Sequence, residues 1–178
     1  MSLYDSNIPF MRCWIKALSA ILAKANAEGD FSKLIEARLV PDMLPLQFQV
    51  AYTTGLFSGL NAHILGAEPK SLALQDLKTY EDCEKAIAKA LESLDSIDKA
   101  KFDACANETN VYYIGPNSKC TTTGAQFITS YLMPNLSFHV VTAYNILRKE
   151  DINLGKKDFI MPFGLFTDVK IEPIEAST

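Results

Sequence analysis

Apolar residues recur at helical spacing along four long stretches of the chain. In the first, Ile8, Met11, Ile15, Leu18, Leu22 and Ala25 fall three or four positions apart, which lines up one face of a helix. Asp5 or Ser6 is the expected N-cap, with Pro9 inside the first turn, where its missing N–H costs no bond, and Gly29 is the expected stop. The connector from Phe31 to Val40 has room for one or two helical turns. A second helix is expected to be capped by Asp42, to include Pro45 early and to run to Leu65 and Gly66. Ala67 to Lys78 is polar, carries Pro69 and is too long for a simple helix hairpin, so it reads as a crossover. Lys78 or Thr79 opens the third helix, with Cys83, Ile87, Ala90, Leu91 and Leu94 as its stripe.

The period changes between Phe102 and Thr123. Val111 to Ile114, a turn over Gly115 to Ser118, and Lys119 to Thr123 predict a short β-hairpin, because β-branched and aromatic residues flank turn formers. The fourth helix is expected from about Gly124 to Lys149 with Pro134 inside it. A proline there cannot bond the Ser130 carbonyl and is expected to kink the helix. Beyond Gly155, Phe159, Pro162 and Phe163 are expected to pack on the bundle, and residues after about 164 to fray. The pattern predicts an all-α fold: one four-helix-bundle domain over residues 1–178, with a long crossover and a small β-hairpin insertion before the last helix.

Composition narrows the functional classes. The 178 residues are 48% hydrophobic and 10% aromatic, enough for a real core and unlike a disordered chain. Net charge is −4, with a pI near 5.2, and no basic cluster exceeds Arg148-Lys149 and Lys156-Lys157. Nucleic acid is therefore not an expected partner. Arg12 and Lys16 break the first apolar stretch, and Asn135 and His139 the last, so no membrane span is expected. Asp5, Arg12 and Lys16 likewise interrupt any signal-peptide core. The four cysteines are scattered and read as reduced thiols, in keeping with an expected cytoplasmic location.

Candidate chemistry sits on the fourth helix. Ile128, Tyr131, Asn135, His139, Thr142 and Ile146 share one face, apolar at its ends and polar in the middle. Inward polar groups must find a partner, a water or a ligand. Two readings are open: a structural hydrogen-bond network, or a ligand or catalytic site. On the second helix Gln49, Tyr52, Leu56 and His63 share a face. Gln49 and His63 are about 21 Å apart at the helical rise and cannot serve one centre, so Gln49 is the expected partner of Asn135 and His139, and His63 is expected to mark the helix end. With two histidines in all, a catalytic zinc site of ordinary composition is poorly supplied. Phosphate-binding loops, dinucleotide fingerprints and Gly-x-Ser-x-Gly elbows are absent.

The segment Ala37-Arg38-Leu39-Val40-Pro41-Asp42-Met43-Leu44-Pro45-Leu46, followed by Gln49-Val50, resembles a segment of domain-of-unknown-function family 1993. The run from Pro134 to Arg148 and the tail Gly155-Lys156-Lys157-Asp158-Phe159 resemble the same family, so the likeness covers nearly the whole chain to about Phe159. That family is similar to the DinB/YfiT-like four-helix bundles, many of which hold a divalent metal with three histidines. The resemblance implies the bundle fold, and it places the metal positions near Gln49, Asn135 and His139, of which only His139 is a histidine. Amides are weak ligands for nickel or zinc, so no cofactor is expected, and a divalent metal would have to lean on His139 with Gln49 and Asn135 as poor neighbours.

Three functions follow as expectations. One is a small-molecule site, with metal-independent acid–base chemistry by His139 on a hydrophobic or aromatic metabolite, and Gln49, Tyr52, Tyr131, Asn135 and Thr142 as ligand-binding residues. Another is a divalent-metal-dependent transferase or hydrolase of the DinB-like kind. The last is a non-enzymatic binding protein that forms a homodimer.

Overall fold

The computed structural model describes residues 1–64, 76–114 and 118–164, with the backbone alone at 58, 59 and 61–64. The first stripe becomes α1 (Leu3–Glu28), in which Ile8, Met11, Ile15, Leu18, Leu22 and Ala25 are all buried. The helix opens earlier than expected: Ser2 is the N-cap, its hydroxyl accepting the Asp5 N–H. Pro9 thus lies beyond the first turn, on the exposed side. Asp30 caps a single turn, α2 (Phe31–Leu34).

The next helix, α3 (Leu46–Ile64), also departs from expectation at its start. Asp42 stands in a turn, and Pro45 lies immediately outside the helix, its carbonyl accepting the Gln49 N–H at 3.2 Å. The loop before it is tied down by Leu46 N–H to the Ala37 carbonyl at 2.8 Å and Gln47 N–H to the Ile35 carbonyl at 2.9 Å. These bonds seat the Ala37–Leu46 block against the foot of α3. The expected crossover falls largely outside the described residues, as does the side chain of His63. Thr79 opens α4 (Tyr80–Asp95) through a reciprocal box with Asp82, and Cys83, Ala86, Ile87, Ala90 and Leu94 are buried. A further short helix, α5 (Lys99–Ala104), capped by Asp98, drives Phe102 into the core, where the sequence pattern predicts only a change of period.

The hairpin pairs β1 (Thr109–Tyr113) with β2 (Lys119–Thr123) antiparallel, Tyr112 opposite Cys120; its turn at 115–117 lies outside the described residues. Tyr112 is the one residue of β1 that is buried. The last long helix is interrupted: α6 (Gly124–Phe127), a π-helical segment Ile128–Leu132, then α7 (Met133–Lys149). The Met133 N–H reaches back five residues to the Ile128 carbonyl, widening the turn just ahead of Pro134, whose ring would clash with the carbonyl four residues back in an ordinary α turn. Gly124 is required where α6 starts, because a Cβ there would stand 2.3 Å from the Cys105 carbonyl oxygen.

Both α1 and α3 pack against α4 and α7, so α1 and α3 occupy opposite corners of the bundle. The tail ends in α8 (Lys156–Ile160) and a 3-10 turn (Met161–Phe163), with Phe159 and Phe163 against Trp14 as expected. The architecture is a mostly helical bundle with long helices and a small hairpin. Among the described residues no helix is long and apolar enough to cross a membrane.

Candidate functional site

Between α3 and α7 the core stops being apolar. Gln49 is 2% exposed and His139 8%, and the His139 Nδ1 lies 2.7 Å from the Gln49 Oε1. The Gln49 amide nitrogen donates to the Leu44 carbonyl at 2.9 Å. One turn along α3, the Tyr52 hydroxyl accepts from the Asn135 Nδ2 at 3.1 Å and meets the Tyr131 hydroxyl at 3.3 Å. Moving from Gln49 to Tyr52 on α3 thus descends from His139 to Tyr131 on the partner helix, so the two run antiparallel.

Rings frame these polar tips. Phe48 stacks on Tyr52 at 5.5 Å between centroids, and the His139 ring lies 4.3 Å from that of Tyr52. On the other side Tyr112 of the hairpin stacks on Phe127 at 4.1 Å, and Phe127 on Tyr131 at 5.4 Å. The hairpin's buried residue therefore supports the far end of the same aromatic row.

The electrostatics follow from burial. Desolvation pushes the His139 pKa down to about 4, because a buried imidazolium loses its hydration and gains no anionic partner among the described residues. The ring is neutral at pH 7, able to accept a proton and a poor donor of one. The Tyr112 hydroxyl is pushed upward, chiefly by burial.

Of the residues singled out from the sequence, Gln49, Tyr52, Tyr131, Asn135 and His139 are brought together by these bonds and ring contacts. The pairing differs in one respect from expectation: Gln49 meets His139 alone, and Asn135 turns to Tyr52. Thr142 is buried one turn beyond His139, but its hydroxyl takes no part in the network. Phe48, Phe127 and Tyr112 were not singled out. The first two carry a readable signal, since each stands four residues before a tyrosine of the site, Phe48 before Tyr52 and Phe127 before Tyr131.

These residues do not fit the three-histidine metal site that the resemblance implies. The Gln49 oxygen is spent on His139 Nδ1 and its nitrogen cannot ligate, so beside the imidazole only the Asn135 amide remains, a weak neutral ligand. A single imidazole nitrogen is left as a strong donor atom, where a catalytic zinc normally takes three protein ligands. Among the described residues no group of three or more His, Cys, Asp or Glu side chains could hold a metal ion.

The fold is of the DinB/YfiT-like class, as its likeness to a solved structure shows. The chain is similar to a solved structure described as a DinB family member protein from Shewanella denitrificans, with 26% identity, a TM-score of 0.73, and coverage of 98% of this chain and 96% of that one. The chain belongs to the family described as a domain of unknown function, DUF1993, which matches over residues 3–160. No curated protein matches it.

Proposed function

We propose that the chain binds a small, uncharged, hydrophobic or aromatic organic molecule between α3 and α7, and that His139 serves there as a metal-independent base. The observation that carries this reading is a set of polar tips with no ionised side chain among them, set at the ends of stacked rings. Such a surface offers apolar faces for binding and a few polar groups for orientation, the usual make-up of a small-molecule site. A neutral imidazole is in the form that accepts a proton, and with its pKa lowered to about 4 it is a weaker base than an ordinary histidine. Tyr52, Tyr131, Gln49 and Asn135 would orient the molecule, and Thr142 would close the wall behind His139.

A thermal-shift screen of uncharged aromatic compounds on the wild type and on His139→Ala tests the proposal. Compounds that raise the melting temperature of the wild type and leave the variant unmoved are expected. A screen in which no compound separates the two proteins rejects the reading.

A second reading, a non-enzymatic protein that pairs with its own copy, is favoured by exposed apolar residues. Phe138 is 56% and Val141 39% exposed on α7, and Leu44 is 47% exposed in the loop before α3. Exposed apolar groups of this size mark association sites when they form a patch. Light scattering that finds a monomer at tens of micromolar would remove this second reading.

A further inference from the structure

The network has a direction, and the direction is set outside the imidazole. The Leu44 carbonyl can only accept, so the atom of Gln49 that approaches it at 2.9 Å must be the amide nitrogen. That leaves the Gln49 oxygen, which also can only accept, facing the His139 Nδ1 at 2.7 Å. The hydrogen between them must therefore belong to the ring. Flipping the amide would set two acceptors against each other at Leu44, inside a site where Gln49 is 2% exposed, and an unsatisfied buried pair is costly. The Leu44 carbonyl is itself held in place, because its loop is tied by the Leu46 and Gln47 amides and by the Arg38 guanidinium donating to the Met43 carbonyl at 2.6 Å.

We infer that Gln49 is a positioning residue that locks His139 in the Nδ1–H form, leaving Nε2 as a standing lone pair, so that the site selects neutral ligands that donate a hydrogen bond. Among the described residues Nε2 has no hydrogen-bond partner. That acceptor awaits a ligand's hydroxyl or N–H. A ligand carboxylate would meet it with like polarity. A ligand ammonium would suffer the same desolvation that keeps the His139 ring itself unprotonated. The ligand class in this inference rests on the small-molecule reading above; the locked ring does not.

Nitrogen-15 NMR of the full chain labelled at histidine tests both parts. The two histidines are told apart with His63→Gln, which keeps every residue named in the site. The expected spectrum of His139 at pH 7 is a neutral ring with the proton on Nδ1, and a ring protonated at Nε2 overturns the inference. In Gln49→Leu the Nδ1–H signature should be lost; its retention would also overturn the positioning role. The probes for the ligand are phenol, anisole and benzylammonium at millimolar concentration. Phenol alone should move the His139 resonances, about tenfold more weakly in Gln49→Leu, as expected for one lost hydrogen bond. An equal response to anisole, or a stronger one to benzylammonium, overturns the selectivity. Silence from all three overturns the small-molecule reading and the ligand class with it, and the ring's proton position would still be decided separately.

Discussion

Two aromatic clusters in this bundle differ in how most of their rings meet, though Phe159 and Phe163 in the first also stack, at 26°, and Phe138 in the second meets His139 edge-on, at 86°. At the α1 end, Trp14 meets Phe10, Phe159 and Phe163 edge-on, with interplanar angles of 80°, 78° and 90°. Between α3 and α7, Phe48 and Tyr52, Tyr112 and Phe127, and Phe127 and Tyr131 lie nearly parallel, at 22°, 15° and 29°. Edge-to-face rings plug one another's faces and close the space between them. Parallel rings in a row present a continuous wall. The polar atoms follow the same division: Trp14 Nε1 is buried with no partner among the described residues, whereas the Tyr52 hydroxyl meets that of Tyr131 and accepts from Asn135. Aromatic content alone does not distinguish a fastening from a binding wall. Ring orientation and the fate of the polar tips set these two clusters apart.

The difference can be broken by mutation, and the largest effect should come from the fastening. Trp14→Ala is expected to cost about 3–4 kcal/mol of stability in denaturant titration, while ligands that stabilise the wild type still bind. A loss below about 1 kcal/mol would mean the α1 cluster is not holding the tail. His139→Ala should cost about 2–3 kcal/mol, since it opens space and strands the Gln49 oxygen, and ligand binding should vanish with the fold intact.

The next effect is one of pH. An unfolded histidine takes up a proton below its ordinary value of 6.5, whereas folded His139 resists until about 4. The contribution is therefore fully present above pH 6.5 and is lost as pH falls through that window, by about 2 kcal/mol after allowing for residual solvent access. Wild type should show this fall relative to His139→Ala, in which it is absent; parallel curves for the two proteins between pH 6.5 and 4 would contradict the burial argument. The smallest effect is expected of Tyr131→Phe, about 0.5–1 kcal/mol for one hydroxyl pair. If that variant proved as damaging as His139→Ala, the row of rings would be a fastening too.

Much of this was legible in the chain. The stripe of α1 is buried residue for residue, and spacing by three and four placed Tyr131, Asn135 and His139 on one face of the last helix. Helix starts were less legible. Ser2 competes with Asp5 and Ser6 as a cap, and Pro45 suits a position just outside a helix as well as one just inside it. The pairing within the site was not legible at all. Periodicity says which residues of one helix face inward, but Gln49 meets His139 and not Asn135 because of how two helices slide past each other, which no single helix encodes. The Leu44 carbonyl that orients Gln49 was equally hidden, being backbone. The interruption at Ile128–Leu132 gave a partial signal: Pro134 announced a disturbance, and the chain resolved it by widening the preceding turn.

That widened turn makes a proline and a spare residue dependent on each other. A π turn accommodates one more residue than an α turn, so deleting Ser130 would restore an ordinary turn and bring the Pro134 ring against the carbonyl four positions behind it, at about 3 kcal/mol. Replacing Pro134 by Ala removes the reason for the extra residue without removing the residue. Made together, the two changes should nearly cancel, leaving a plain helix from Gly124 to Lys149. The last helix would then carry a conditional insertion, one that can be lost only in company.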